Sequence, residues 1–493
     1  MKRKISLILL FTTLLTTALS CSDTPSQSTD TTVSGGTTAQ PVDTKELSFF
    51  DAHAAAQDDL PEADFGGEEF LIGINTYCET GFYTEETTGE SLSDAIYDRN
   101  KAVEDRFNVK LVFDSQDWQA MASDVLRSVT AGDDTYQLLC EHTIEANKWV
   151  MGEVLYNLHD IPYINFDQPW WSPSNTECLT YNGKHFQAVG DFCLTTIGRT
   201  YSIYFDKVEA ESYKIPDLYE LVYDGKWTID ALHTYTKDIY RDLNMNNEVD
   251  TVEDFFGYTT SVASNIGAYL WSFGGMIIED GEVVMNVEKT NDTIQKLIDV
   301  CVNSDGTCYD TTYYNSAGNR NYIGVEKLAE GTTLFASAML ESGINYLRDV
   351  DHDYGIIPYP KWDEEQEDYI TIVDGGFTTM SIPKTVVNTE RAGIITEALN
   401  AETYRNVIPI YYEIALKQKG ARDDESIAMI DYVMSKRVYD FGYIYDNWKG
   451  FGFVIETLVQ KGEATFASYY ASNIEAVKAH YESVFETFDN YDQ

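Results

Sequence analysis

The stretch Glu69-Phe70-Leu71-Ile72-Gly73-Ile74 decides the fold class, because it predicts a short buried strand. Outward from it, the apolar spacing predicts a helix over 91–108, a strand over 109–113, a helix over 118–130 and a strand over 136–140. This alternation requires right-handed crossovers and therefore predicts a parallel sheet. Ligands bind beyond the carboxyl ends of such strands, which here are residues 75–77 and 141–143.

A second set of elements begins after residue 191. The pattern predicts strands over 201–205, 354–357 and 377–382, a helix from Thr228 to about residue 243, and helices over 390–435 and 455–488. The chain forms one α/β unit, then a second, and later segments add to each of them. Two lobes joined by a hinge of several strands would produce this order.

Composition and charge restrict the partners. The chain has 493 residues, and 34 basic against 81 acidic residues give a formal net charge of −47. A field of that sign repels nucleic acid, so we expect no nucleic-acid partner. After the N-terminal segment no run of eighteen apolar residues occurs, which indicates no membrane span.

The first residues predict export. Lys2, Arg3 and Lys4 precede an apolar run over 5–15, and Ala18-Leu19-Ser20-Cys21 follows. Residues 1–20 resemble a bacterial lipoprotein signal, in which the cysteine is diacylated, with palmitate for example, and becomes the mature N-terminus. Ala18 stands where that signal usually has Leu, and an ordinary cleaved signal is the alternative. Residues 21–59 are predicted to form a flexible Ser/Thr-rich tether, which places the protein on the extracellular face of the cell membrane.

Six further cysteines follow Cys21 and contain no C-x-x-C pair, so they predict no zinc site. Export permits disulfides, and Cys301 with Cys308, or Cys178 with Cys193, are near enough in sequence to pair. Free buried thiols are the other interpretation.

Five short segments of the sequence resemble segments of a known protein family. They are residues 60–67, 94–100, 225–228, 354–361 and 437–442. Together they resemble family 1 of the bacterial extracellular solute-binding proteins, the branch that includes maltose-binding protein. The resemblance implies a two-lobed periplasmic-binding-protein-like fold (type II), a hinge and a ligand cleft, with closure read by an ABC permease. It places one lobe at 60–188 plus 372–425 and the other at 189–371 plus 426–493.

The segment from Asp242 to Glu253 is the sharpest local motif. The spacing is that of an EF-hand-like calcium loop, with side-chain oxygens from Asp242, Asn244, Asn246, Asp250 and Glu253 and the backbone carbonyl of Glu248. Asn247 stands where such loops usually have Gly, and Asn tolerates the left-handed backbone that this position needs. A structural Ca²⁺ and a solvated acidic turn are both compatible with the pattern. No cofactor for catalysis is expected.

Aromatic residues give the second signal, since aromatic rings pack on the C–H faces of sugars while polar groups bind the hydroxyls. The aromatic candidates are Tyr77, Trp171, Tyr269, Trp271, Tyr445 and Trp448, and the polar candidates are Asn75, Glu141, His142, Glu341 and Asp374. The resemblance places the regions of Trp271 and Trp448 at the ligand. Core packing is the alternative for each aromatic residue, and for Trp227 it is the favoured one.

Catalytic motifs are scarce. The sequence contains no Gly-x-Ser-x-Gly, no His-Glu-x-x-His and no phosphate-binding glycine loop. The resemblance to the solute-binding family implies a monomeric binding protein that captures a sugar and delivers it to an ABC importer, and the scarcity of catalytic motifs agrees with an expectation that it is not an enzyme. A surface-tethered glycan hydrolase and a receptor of the same fold without a permease remain alternatives.

Overall fold

Two separate sheets form the frame of the protein. The computed structural model describes residues 49–491 except 317, 414–420 and 422. The predicted signal, Cys21 and the tether as far as residue 48 lie outside these residues. Within the described part, no helix is both long enough and apolar enough to cross a membrane.

The first sheet contains the strand that the sequence predicted at residues 69–74. Its strands lie in the order Thr378–Ser381, Leu138–His142, Glu68–Asn75 and Val109–Gln116. The last three are parallel, with Ile72 opposite both Phe113 and Leu138, and Thr378–Ser381 runs antiparallel to Leu138–His142. The predicted parallel unit is confirmed, and its helices lie at Ser91–Phe107 and Trp118–Ala131.

The second sheet is mixed. Its strands lie in the order Tyr354–Ile357, Tyr201–Asp206, Thr333–Met339, Phe255–Thr259 and Tyr240–Arg241, and Thr307–Cys308 also pairs with Phe255–Thr259. A small pair of parallel strands, Thr371–Ile372 and Arg437–Val438, lies where the chain passes between the sheets. A hairpin joins Ile278–Glu279 to Glu282–Val283.

Helices cover both sheets. Besides the two already given, the helices are Phe49–Ala55, Thr143–Met151, Pro173–Leu179, Thr195–Gly198, Lys207–Ser212, Leu218–Tyr223, Ile229–Thr236, Ser264–Gly267, Tyr269–Ser272, Val287–Leu297, Ile323–Ala329, Glu341–Asn345, Thr389–Glu402, Asp424–Ser435, Phe441–Ile444, Val454–Lys461 and Phe466–Asn490. Short 3₁₀ turns lie at Thr76–Gly81 and Leu158–Asp160, and π turns at Ile298–Val302 and Thr403–Val407.

One predicted helix is wrong in extent. The helix that begins after Thr228 ends at Thr236, because the chain then turns and pairs Tyr240 with Phe256 in the second sheet. The region predicted to be mainly helical over 390–435 contains Thr389–Glu402, which passes into a π turn, and Asp424–Ser435. The helical region predicted over 455–488 contains two helices, because Gly462 takes a left-handed φ of 68° and caps the first of them.

The cores of the two sheets are continuous. One apolar cluster contains Leu139 from the first sheet, Ile203 from the second, and Val373 from the connecting segment. Within the described part of the chain all six cysteines are free thiols, and all except Cys178 are buried. The structure therefore forms neither of the two cysteine pairs that sequence spacing allowed.

Candidate functional site

A cavity of about 560 Å³ lies between the two sheets. Tyr77 and His142 reach it from the carboxyl ends of the parallel strands, the edge where such sheets bind ligands. The opposite wall includes Asn321 and Glu341, and Asp374 lines the floor. We call this cavity the cleft.

The cleft brings together five of the residues that the sequence proposed for ligand binding. They are Tyr77, His142, Glu341, Asp374 and Trp448. It also contains residues that the sequence analysis did not single out, namely Trp118, Glu145, Arg199, Asn319, Asn321, Tyr322, Tyr443 and Phe453. Arg199 carried one usable signal: it is a cation in a strongly acidic chain, immediately before the strand Tyr201–Asp206.

Arg199 is the central charged group. Its Nη1 lies 3.2 Å from Oδ1 of Asp374, and its guanidinium lies 4.7 Å from the centre of the Tyr77 ring. Burial acts to lower the pKa of Arg199, but the charges of Glu341 and Asp374 raise it further above its usual range. Its Nε is buried and has no hydrogen-bond acceptor among the described residues. That N–H is available to a ligand oxygen.

Asp374 holds Arg199 in place. Oδ2 accepts a 2.6 Å hydrogen bond from the Tyr201 hydroxyl, and Oδ1 accepts one of 2.9 Å from the backbone N–H of Gly376. Burial acts to raise the pKa of Asp374, but Arg199 and these donors hold it below its usual range. Because both carboxylate oxygens already accept hydrogen bonds, the main role of Asp374 is to position Arg199 rather than to bind a ligand.

Gly376 permits this close approach. A Cβ at this position would lie 2.6 Å from Nη1 of Arg199 and 2.8 Å from Oδ1 of Asp374. Its carbonyl oxygen also accepts a hydrogen bond from the Tyr77 hydroxyl. A side chain here would push the guanidinium away from the carboxylate.

His142 is a neutral group packed on an aromatic ring. Its imidazole stacks on Trp118 with ring centres 4.8 Å apart. Burial lowers the pKa of His142 to about 4, so the ring is uncharged at neutral pH. Its Nδ1 is buried and has no hydrogen-bond partner among the described residues. An uncharged imidazole with a free ring nitrogen suits a ligand hydroxyl.

Trp448 is an exposed aromatic platform. Its side chain is 73% exposed and stacks on Phe453 with ring centres 4.1 Å apart. Asn447 and Trp448 both have left-handed backbones, with φ of 48° and 61°. A bulky residue adopts that conformation at a cost, and such strain concentrates at binding sites.

Asn75 and Glu141 lie behind the cleft wall. Both are fully buried, and the Asn75 amide donates a 3.3 Å hydrogen bond to Oε1 of Glu141. Burial raises the pKa of Glu141 to about 8. Oε1 of Glu141 also accepts the backbone N–H of His142, at 2.6 Å. The pair therefore supports the segment that carries His142 and does not line the cleft.

The structure places the remaining four aromatic candidates in the core. The Trp171 indole donates to Glu397 at 3.0 Å, and the Trp271 indole donates to Asp440 at 2.8 Å. The Tyr269 hydroxyl pairs with the Tyr258 hydroxyl at 2.7 Å, and the Tyr445 hydroxyl lies 3.3 Å from Nε2 of Gln187. All four are buried, and none lines the cleft.

The segment 242–253 closes on itself through its own polar groups. Carboxylate oxygens of Asp242 accept the backbone N–H of Asn246 and Asn247, and the Asn244 amide donates to Glu253 at 2.8 Å. Asn247 has the left-handed φ, 61°, that the sequence analysis required of it. Within the described ranges no three His, Cys, Asp or Glu side chains form a metal-binding group. The calcium site therefore stays a prediction.

Comparison with solved structures identifies the fold. The GacH receptor of Streptomyces glaucescens, solved unliganded and with acarbose, is 12% identical, and the match covers 86% of this chain and 100% of that one with a TM-score of 0.53. An ABC substrate-binding protein from Listeria monocytogenes in complex with cycloalternan is 12% identical over 86% and 99%, at 0.51. The maltose/maltodextrin-binding domain MalE from Bdellovibrio bacteriovorus bound to maltotriose is 12% identical over 85% and 98%, at 0.52.

Sequence comparison adds no relative. No protein-family model matches the chain, and no curated protein matches it. The chain has the two-lobed periplasmic-binding-protein-like α/β fold, and the resemblance seen in its sequence is confirmed at the level of the fold.

Proposed function

We propose that this protein is a solute-binding receptor that captures a carbohydrate, a mono- or oligosaccharide, in the cleft between its two sheets. The observation that carries the proposal is the pairing of aromatic platforms with unpartnered polar atoms in one cavity. Trp448 supplies an exposed ring, while Nε of Arg199 and Nδ1 of His142 have no partner among the described residues. Sugars offer C–H faces to the first and hydroxyls to the second.

Binding would be coupled to closure. Tyr77 and His142 belong to the first sheet and its flanking turn, whereas Tyr322 and Glu341 adjoin strands of the second. A ligand that contacts both sides binds the closed state more tightly than the open one and so shifts the population toward it. No covalent step is needed.

Isothermal titration calorimetry against a glycan panel tests the proposal. The sugars named with the similar structures, acarbose, cycloalternan and maltotriose, are the first ligands to try. We expect one-to-one binding of at least one glycan. Binding of peptides or amino acids, with no glycan bound, would contradict the carbohydrate assignment.

The anchor and the importer complete the proposed role. Lipid on Cys21 would keep a monomeric receptor at high effective concentration beside an ABC permease on the outer face of the membrane. Mass spectrometry of the mature N-terminus tests the anchor, and a diacylated Cys21 is the expected result. Permease genes next to this one would support delivery to an importer, and their absence would favour a receptor without one.

A surface-tethered glycan hydrolase is the alternative, because the cleft contains both aromatic rings and carboxylates. The two functions differ in turnover. Incubation of the purified protein with each bound glycan should release no new reducing ends. Their appearance at a rate proportional to protein concentration would replace the receptor with an enzyme.

A further inference from the structure

The charges in the cleft do not cancel. Asp374 is paired with Arg199, and Glu145 with Lys148 of its own helix. Glu341 lines the same cavity, and no described cation lies within ion-pair distance of its carboxylate. With His142 uncharged, the side chains that line the cleft leave one surplus negative charge when Glu341 is ionised.

Glu341 is fixed in the wall of the cleft. It lies in the first turn of the helix Glu341–Asn345, and its Oε2 would lie 2.9 Å from a Cβ placed on Gly198. The ionisable groups that face it are Arg199, Asp374, Tyr322, Tyr346 and Tyr411. Burial raises the pKa of Glu341, and Arg199 offsets only part of that effect. A cationic hydrogen-bond donor is the partner that this carboxylate lacks.

We propose that Glu341 makes the cleft prefer a sugar that carries an amino group over neutral and acidic sugars of the same size. This inference rests on the proposed carbohydrate function. An ammonium would add ion-pair attraction to its hydrogen bond with the Glu341 carboxylate, whereas a hydroxyl would supply the hydrogen bond alone. The overall charge of −47 also concentrates cations near the surface.

Acidic sugars carry a negative charge, which the charges in the cleft should disfavour. Arg199 is the one cation among the described residues that line the cleft, and its Nη1 is already bound to Asp374. A sugar carboxylate could accept the unused Nε–H of Arg199, but Asp374 already balances the charge of that guanidinium, so the ligand would add a second uncompensated negative charge beside Glu341. Two like charges in a partly buried site repel each other strongly, so uronic acids should bind weakly or not at all.

The test is calorimetry with matched triads of sugars. Each triad contains a neutral sugar, its 2-amino-2-deoxy form and its uronic acid, with gluco, galacto and manno configurations as monosaccharides and as 1,4- and 1,6-linked disaccharides. We expect the amino member of the binding triad to bind about tenfold more tightly than the neutral member, and the uronic acid more weakly than either. Glu341→Gln should bring the ratio of the two affinities, amino over neutral, from about ten to about one, whatever its effect on the affinity for the neutral sugar.

Glu330→Gln is the matched control, because Glu330 is an exposed carboxylate outside the cleft and its replacement removes the same charge. It should keep the tenfold preference. If the neutral member binds as tightly as the amino member in wild type, the inference about Glu341 is overturned and the carbohydrate function stands. If no member of any triad binds, and no other glycan does, the proposed function itself fails.

Discussion

Arg199 and Asp374 are joined twice, through their side chains and through their backbones. Nη1 of Arg199 lies 3.2 Å from Oδ1 of Asp374, and the Arg199 carbonyl accepts a 3.0 Å hydrogen bond from the backbone N–H of Asp374. The two residues are 175 positions apart in the sequence. This double link ties the segment before the second sheet to the segment that returns toward the first, at the floor of the cleft.

Asp374→Asn should weaken both the fold and the site. The substitution removes the carboxylate in direct contact with the buried Arg199 guanidinium and leaves only the more distant Glu341, and breaking a buried ion pair costs about 3 kcal/mol or more in the free energy of unfolding. Urea denaturation measures this loss. Asp124→Asn, which breaks an exposed pair with Arg127, is the control and should cost about 0.5 kcal/mol or less. Equal losses for both variants would contradict the structural role of Asp374.

Gly376→Ala should disturb the same pair by overpacking. The added Cβ would lie 2.6 Å from Nη1 of Arg199, so the guanidinium must move, at a cost of about 1–3 kcal/mol in the free energy of unfolding. Gly81→Ala is the control, since a Cβ there would lie 4.0 Å from its neighbour in ordinary contact. Thermal unfolding should separate the two variants, and an unchanged Tm for Gly376→Ala would show that the close approach is unimportant.

Trp448→Ala should reduce sugar binding without reducing stability. Its ring is mostly exposed, so its removal empties no core, while loss of a stacking platform costs about 1.4 kcal/mol, or tenfold in Kd. Trp227→Ala is the contrasting variant. That indole is fully buried and donates to the Pro358 carbonyl at 2.9 Å, and its loss should cost about 3–5 kcal/mol of stability. Calorimetry and denaturation together measure both effects, and a Trp448→Ala variant that binds as wild type would remove Trp448 from the site.

Glu397 should make stability depend on pH. Its carboxylate accepts the indole N–H groups of Trp170 at 2.9 Å and Trp171 at 3.0 Å, and burial raises its pKa to about 7. The pKa of Glu397 is higher in the folded state than in the unfolded state. Its contribution to the free energy of unfolding is therefore complete below about pH 4.5 and is lost as pH rises through about 7.

Glu397→Gln removes that titration. Its free energy of unfolding should fall less than that of wild type between pH 4.5 and 7.5, measured by urea denaturation at steps of about one pH unit. Parallel pH curves for the two proteins would contradict the assignment. A constant offset from the altered indole hydrogen bonds is expected and does not affect the comparison of slopes.

The loop 242–253 gives a metal prediction. If Ca²⁺ binds there, millimolar CaCl₂ should raise Tm relative to EDTA. The matching gain in the free energy of unfolding is about 2.7 kcal/mol when free Ca²⁺ is in hundredfold excess over Kd. MgCl₂ at the same concentration is the control, since Mg²⁺ demands a smaller octahedral site. Asp242→Ala should abolish the difference. An identical Tm in CaCl₂ and EDTA would identify the loop as a solvated turn closed by its own hydrogen bonds.

Local pattern predicted the first sheet because its strands are short apolar runs separated by helices with a clear apolar face. The apolar run from Phe70 to Ile74 predicted the strand that the structure has at Glu68–Asn75. The helix that follows Thr228 was overextended for a tertiary reason. Nothing in 237–243 forbids a helix, but pairing of Tyr240 with Phe256 draws those residues into the second sheet.

The site was predictable only where topology dictates it. The rule for parallel strands pointed to Tyr77 and His142, because both follow strand ends. Composition cannot distinguish an aromatic residue of a cleft from one of the core. Trp271 lies in the core, where Asp440, 169 positions away in the sequence, accepts its indole N–H. The sequence around Trp271 does not indicate a partner so distant along the chain.

The most direct test of the account is calorimetric titration of the wild-type protein and of Arg199→Lys with the tightest-binding glycan of the panel. Lysine keeps the charge but lacks the Nε–H, which has no acceptor among the described residues, and the planar guanidinium that contacts Asp374. We predict one-to-one binding to wild type and at least about tenfold weaker binding to Arg199→Lys. Equal affinity of the two proteins for the glycan would contradict the claim that this cleft is the sugar-binding site.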